Sequence, residues 1–152
     1  EIVFGDWSSD VCSSDLLVKA FHTHSPCEVM EEKTLADSIS VGIPRNPIKA
    51  LHAVRTSLGT MIDVSDQHIL DAMYIMGKHE GIFGEPAAAA ACAGLIKARH
   101  LNIIKPHETV TIINTGNGLK DPKHAVSATQ EPKLMKPDID ILIKYLEQEG
   151  EQ

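Results

Sequence analysis

Residues 110–122 read VTIINTGNGLKDP, and this stretch decides the fold prediction. Its first four residues form a continuous apolar run rich in β-branched side chains, which predicts a buried strand. Gly116 and Gly118 follow on either side of an asparagine. A glycine-spaced loop after a strand can approach an anionic ligand closely, although two glycines there also serve a tight turn. The stretch therefore predicts a strand that ends at a loop able to contact a ligand.

The sequence upstream of this strand predicts a crossover connection. Residues 60–64 are short and β-rich, Ser65 is suited to cap a helix that Gly81 ends, and Glu85 precedes a helix over residues 87–100 that contains five consecutive alanines. Strand, helix, helix, strand is typical of an α/β layer with parallel strands. Two strands do not make a stable sheet alone, so we expect further strands beside them.

The flanking regions carry weaker patterns. Pro47 can open a helix that Gly59 ends, and residues 139–149 form an amphipathic pattern after a proline-containing linker at 133–137. The predicted apolar face of the first helix consists of Ile48, Leu51, Ala53, Val54 and Leu58.

Composition excludes several classes of protein. The 152 residues include 14 Lys and Arg against 21 Asp and Glu, a net charge of −7 that is unlike a general nucleic-acid binder. The longest apolar run is far below the ~20 residues needed to span a bilayer. Three cysteines argue against a disulfide framework and for a reducing compartment. We therefore expect a cytoplasmic chain that binds neither nucleic acid nor membrane.

The first sixteen residues do not fit the rest of the chain. Residues 8–16 read SSDVCSSDL, a near-repeat of period five that matches neither the helix nor the strand period. The repeat resembles translated sequencing adapter, so residues 1–16 are predicted to be a non-native leader. A natural flexible Ser/Asp terminus is the alternative.

Metal and hydrolase chemistry receive little support. His22, His24 and Cys27 resemble a short metal clip, but a structural zinc site needs four ligands and no second pair follows. We expect a solvated loop there and no metal site. No strand-turn-helix elbow surrounds any serine, so a serine hydrolase is not predicted.

Four stretches of the chain carry a resemblance to one family: residues 34–39 with Gly42, residues 65–66 with 69–70, residues 80–87, and residues 115–122. Together they resemble threonine synthase, a pyridoxal-phosphate enzyme of the tryptophan-synthase β-subunit-like fold (fold type II). The stretch at 115–122 is the most specific, whereas the acidic-Pro-Ala segment within 80–87 also recurs in related dehydratases. The resemblance covers residues 17–128, which are similar to the C-terminal third of such an enzyme.

The resemblance implies pyridoxal 5'-phosphate as cofactor and conversion of O-phospho-L-homoserine and water to L-threonine and phosphate. It implies that Thr115 hydrogen-bonds the pyridine nitrogen, that Gly116 lets the backbone pass close to the ring, that Ala36 lies beside the ring, and that Glu85 lies on the cofactor side of its helix. Three plainer interpretations stay open: Ala36 as core, Glu85 as a helix start and Thr115 as a turn hydroxyl.

The resemblance also divides the chain and limits its chemistry. Residues 1–16 are the predicted leader, 17–129 the C-terminal part of a three-layer parallel-sheet α/β domain, and 130–152 a linker and terminal helix. The Schiff-base lysine and the phosphate-binding loops of the family belong upstream of residue 17, so no catalytic residue is expected here, Lys120 included. The complete enzyme is expected to be a homo-oligomer. A related dehydratase, a cysteate synthase and a non-enzymatic α/β interaction module are the alternatives.

Overall fold

The computed structural model describes residues 3–4, 16–29, 33–129 and 134–149. Most of the predicted leader, including residues 8–15, lies outside the described residues. The strands are β1 (Val3–Phe4) and β2 (Thr111–Ile112). The helices are α1 (Leu16–Thr23), α2 (Pro47–Thr56), α3 (Asp66–Ile75), α4 (Pro86–His100), α5 (Pro122–Ala128) and α6 (Ile139–Glu149). Two 3-10 turns cover Asp37–Ile39 and Gly118–Lys120, and one π-helical turn covers Met76–Glu80.

The two strands pair in parallel, with Val3 opposite Thr111 and Phe4 opposite Ile112. The strand predicted over residues 110–113 is confirmed in shortened form, whereas the strand predicted over residues 60–64 is wrong. Residues 60–64 are held instead by α4, because Lys97 Nζ donates to the backbone oxygen of Asp63 at 2.8 Å and to its carboxylate at 3.0 Å. A β-rich segment without a neighbouring strand to receive its backbone hydrogen bonds forms no ladder.

Helices α3 and α4 form the centre of the main core. The alanines at the start of α4 are buried, and their small side chains let α3 approach closely. Ser65 caps α3, since its hydroxyl accepts from the backbone N–H of His68 at 3.2 Å, and Gly81 ends the π-helical turn after α3 at a φ of 66°. Both predicted helix boundaries are confirmed. The core cluster comprises Ala36, Ile39, Val64, Ile69, Ala72, Met73, Met76, Ala87, Ala89, Ala90 and Ala93.

Helices α1 and α2 form a second, smaller cluster through Leu17, Ala20 and Leu51. The apolar face predicted for α2 is wrong at its ends, because Ile48 is 83% exposed and Leu58 is 93% exposed. The predicted cap at Gly59 is also wrong: α2 ends at Thr56, and Leu58 takes the left-handed φ of 56°.

The boundary at residue 16 stays a prediction. Leu16, the last residue of the predicted leader, opens α1 and is buried. The helix predicted over residues 139–149 is confirmed as α6. Among the residues that the structure describes, no helix is both long enough and apolar enough to span a bilayer.

Candidate functional site

The start of α4 is fastened to the loop after β2 by backbone hydrogen bonds. The N–H of Glu85 donates to the oxygen of Gly116 at 3.0 Å, and the N–H of Gly118 donates to the oxygen of Phe83 at 2.9 Å. Gly84 and Asn117 form an antiparallel bridge between these two contacts. The predicted glycine loop is therefore fixed against the helix that the acidic-Pro-Ala segment begins.

Three glycines make this close approach possible. A Cβ at Gly116 would overlap the Glu85 carboxylate, and one at Gly118 would overlap the Phe83 ring. A Cβ at Gly84 would lie 2.6 Å from Oδ1 of Asn114. None of these glycines has a left-handed φ, so their absence of a side chain matters rather than their conformational freedom.

Glu85 carries the buried charge of the site. Its side chain is 7% exposed, and Lys120 Nζ lies 2.9 Å from Oε2 and 3.1 Å from Oε1. Lys120 is itself 62% exposed and lies in the 3-10 turn that begins at Gly118. Asn117 orders this turn, since its Oδ1 accepts from the N–H of Leu119 at 2.9 Å. A cation that reaches in from solvent thus compensates a buried carboxylate.

Ala36 is positioned by the first turn of α3. Thr34 Oγ1 donates to Asp66 Oδ1 at 2.6 Å, and the N–H of Leu35 lies 3.3 Å from Asp66 Oδ2. The N–H of Ala36 then donates to Thr34 Oγ1 at 3.2 Å. Because Asp66 holds this segment, Ala36 is buried where the 3-10 turn Asp37–Ile39 begins.

These segments enclose an open cleft of about 230 Å³. Ala36, Ser38, Glu85, Lys120 and His124 are among its lining residues. Of the four sequence-predicted residues, the cleft brings together Ala36 and Glu85, and Gly116 packs directly behind Glu85. Thr115 is exposed at the preceding loop position and is not part of the lining.

The far side of the cleft carries an Asp–His pair. Asp121 caps α5 by accepting from the backbone N–H of His124 at 3.3 Å, and its Oδ2 lies 2.6 Å from His124 Nδ1. Burial acts to raise the pKa of Asp121, but the hydrogen bonds from His124 and the nearby charges of His124 and Lys123 outweigh it and lower the pKa. Sequence reasoning missed His124, although an Asp-Pro start with a histidine three residues after the aspartate is a recognisable first-turn pair.

One family of known proteins matches most of the chain in sequence. The sequence profile of the family described as "Pyridoxal-phosphate dependent enzyme" matches residues 8–116. That match begins within the predicted leader, so it leaves the boundary at residue 16 open.

Relatives named threonine synthase match the chain at about 40% identity. The protein of Methanosarcina acetivorans is 41% identical over 83% of this chain and 32% of its own length. The protein of Methanocaldococcus jannaschii is 40% identical over 76% of this chain and 29% of its own length. The protein of Synechocystis sp. is 42% identical over 78% of this chain and 31% of its own length. The chain spans about a third of the length of these curated relatives.

The fold expected from the resemblance, a partial α/β domain of this enzyme class, agrees with the profile match. The match covers well over half of the chain and includes Ala36, Glu85 and Gly116. The chain therefore belongs to the family of pyridoxal-phosphate dependent enzymes.

Proposed function

We propose that this chain supplies one wall of the cofactor site of a threonine synthase, the enzyme that converts O-phospho-L-homoserine and water to L-threonine and phosphate. The observation that carries the proposal is that three of the four family-like stretches line one cleft, while the fourth holds one of them in place. Asp66 holds the stretch with Ala36, and the stretch with Glu85 interlocks with the stretch with Gly116. The relatives that match these stretches are named threonine synthase.

The residues present fit pyridoxal phosphate. A flat aromatic ring needs a wall without bulky side chains, and the small side chains of Ala36 and Ala87 line the cleft. Thr115 provides a neutral hydroxyl next to Gly116 in the chain. When bound, the cofactor supplies an electron-withdrawing ring that stabilises negative charge on a substrate carbon.

In this proposal each residue binds or orients. Thr115 would donate a hydrogen bond to the pyridine nitrogen, and a neutral hydroxyl need not leave that nitrogen protonated. Gly116 would let the backbone lie close to the ring, and Ala36 would leave room for the ring face. Glu85 is the N-cap residue of α4 and holds Gly116 through its backbone N–H, with its charge compensated by Lys120.

The chain by itself is proposed to form no threonine. The resemblance assigns the Schiff-base lysine to a segment that precedes residue 17, and Lys120, the lysine in the cleft, is engaged with Glu85. The parent enzyme is proposed to be a cytoplasmic homo-oligomer that acts on a small phosphorylated amino acid.

A chimera tests the assignment. Residues 17–128 replace the corresponding segment of the Methanosarcina acetivorans threonine synthase, and the unaltered enzyme and the enzyme without the segment serve as controls. We expect the chimera to bind pyridoxal phosphate and to release threonine and phosphate from O-phosphohomoserine. A folded chimera that binds the cofactor but yields only a 2-oxo acid would favour a dehydratase. A folded chimera that does not bind the cofactor would favour an interaction module.

A further inference from the structure

We infer that Lys120 is a positioning residue that holds the Glu85 carboxylate against Gly116 and so keeps the Thr115–Gly118 loop closed on the start of α4. This loop carries Thr115 next to Gly116 in the chain. The inference rests on the proposed function only for the identity of the group that meets this wall. The contacts that carry it lie within this chain.

The ion pair is asymmetric, and the asymmetry indicates its role. Glu85 is almost fully buried, and Lys120 Nζ lies within 3.1 Å of both of its carboxylate oxygens. In the part of the chain that the structure describes, no buried side-chain nitrogen or oxygen lacks a hydrogen-bond partner. A buried carboxylate without its cation is strongly unfavourable. Loss of the lysine would therefore drive the Glu85 side chain towards water.

Movement of Glu85 would affect the loop because the two are interlocked. The Glu85 carboxylate fills the space beside Gly116, and its backbone N–H donates to the Gly116 oxygen. Lys120 lies two residues after Gly118, whose N–H donates to Phe83. The ion pair and the two backbone hydrogen bonds thus join residues 83–85 to residues 116–120 at both ends. Opening one contact removes the restraint on the others.

Lys120 also determines the charge of the wall. An uncompensated carboxylate close to a pyridine nitrogen favours the protonated ring. With the ammonium on both carboxylate oxygens, the pair presents little net charge. Under the proposed function, the neutral Thr115 hydroxyl would then be the group that meets the nitrogen. The Glu85 carboxylate therefore fills the space beside Gly116, and Lys120 compensates its charge.

Amide hydrogen exchange on the chain itself tests the inference without cofactor or substrate. The reporters are the N–H groups of Glu85 and Gly118, and the N–H of Ala90 in the middle of α4 is the internal reference. The variants are Lys120→Met, Lys120→Arg and the matched control Lys123→Met on the neighbouring helix α5. Since this assay needs no ligand, its failure is distinguishable from failure of the chimera.

Lys120→Met is expected to raise exchange at both reporters by about tenfold relative to the reference. The increase is smaller than for a fully buried ion pair, because Lys120 is solvent-exposed. Lys120→Arg and Lys123→Met are expected to stay within about threefold of the unaltered chain. The ¹³C resonance of the Glu85 carboxyl should be shifted in Lys120→Met relative to the unaltered chain. In Lys120→Arg it should lie close to its position in the unaltered chain. A merely structural role would raise exchange at Ala90 equally, and that result would overturn the inference, as would unchanged reporters.

A double-mutant cycle covers the case in which Lys120→Met does not fold. Glu85→Gln removes the buried charge, so Lys120→Met in that background should change reporter exchange by less than about threefold. If the double variant is as perturbed as Lys120→Met alone, or also fails to fold, Lys120 does not act through the Glu85 charge and the inference is wrong.

Discussion

Gly116→Ala should destabilise the chain through one identifiable overlap. The added methyl group would meet the Glu85 carboxylate, and the Cγ atom of Glu85 would lie 2.8 Å from the new Cβ. The backbone cannot retreat easily, because Gly116 accepts the Glu85 N–H at 3.0 Å. The side chain of Glu85 can swing out only by leaving Lys120 and the buried position that the pair occupies. Every way of relieving the overlap therefore costs a contact.

The expected magnitude follows from two opposing effects. Overpacking of a close contact costs about 1–3 kcal/mol. Replacing glycine restricts the unfolded chain and returns about 0.4–1 kcal/mol. We expect the free energy of unfolding to fall by about 1–2 kcal/mol.

Gly94→Ala in α4 is the matched control. A Cβ at Gly94 would meet nothing within 4 Å, and the position lies inside a helix. The same chemical change should stabilise the chain here by about 0.5–1 kcal/mol, since alanine favours the helix. The two substitutions are therefore expected to have opposite signs.

Urea unfolding at 25 °C, followed by far-UV circular dichroism, measures both variants. The comparison is valid when the dependence of the unfolding free energy on urea is the same in each variant. If Gly116→Ala is neutral or as stabilising as Gly94→Ala, the Glu85 carboxylate does not occupy that space, and the close-approach argument fails.

Three further outcomes are expected. In the chimera, Thr115→Ala should weaken cofactor binding by about 0.5–1.5 kcal/mol, and Thr115→Ser should be nearly neutral. Thr115→Asp should keep the cofactor but increase elimination products. Equal cofactor affinity and an equal product ratio in all three variants would make Thr115 a turn residue. The hydrogen bond from Lys97 lowers the pKa of Asp63 against the opposing effect of burial, so the stabilisation is present above the ordinary aspartate pKa of about 3.9 and is lost as the pH falls. Because Asp63 is 49% exposed, Asp63→Asn should lower the unfolding free energy by less than about 1 kcal/mol at pH 7. The substitution should have no effect near pH 2, and a loss of stability that persists there would contradict this cause. Amides of residues 8–15 should exchange at the rate of an unstructured chain if they belong to a non-native leader, and strong protection there would contradict that prediction.

Local features were predictable because their causes lie within a few residues. Ser65 caps α3 through a contact three residues away, Gly81 ends the following turn by a left-handed φ, and Pro86 opens α4. Each depends on backbone chemistry that the neighbouring sequence already contains. Recognition of the family likewise rested on short stretches that carry their own pattern.

Errors arose where a distant partner decides the structure. Residues 60–64 have strand-like side chains but contact α4 through Lys97, and no periodicity in that segment indicates this. The exposed Ile48 and Leu58 fit an apolar stripe in sequence, yet only the Leu51 part of that stripe meets α1. Hydrophobic spacing defines a face, whereas the surface that covers it comes from elsewhere in the chain.

The sequence alone determined the helix boundaries around the core, the glycine loop after β2 and the residue types of the site. Only the tertiary structure decided that Lys120 pairs with Glu85 across 35 positions and that the space beside Gly116 belongs to that carboxylate. It also decided that Asp66 holds the segment of Ala36. The physical reason is that caps and turns depend on local backbone geometry, while burial of a charge and close approach of two backbones depend on which segments the core brings together.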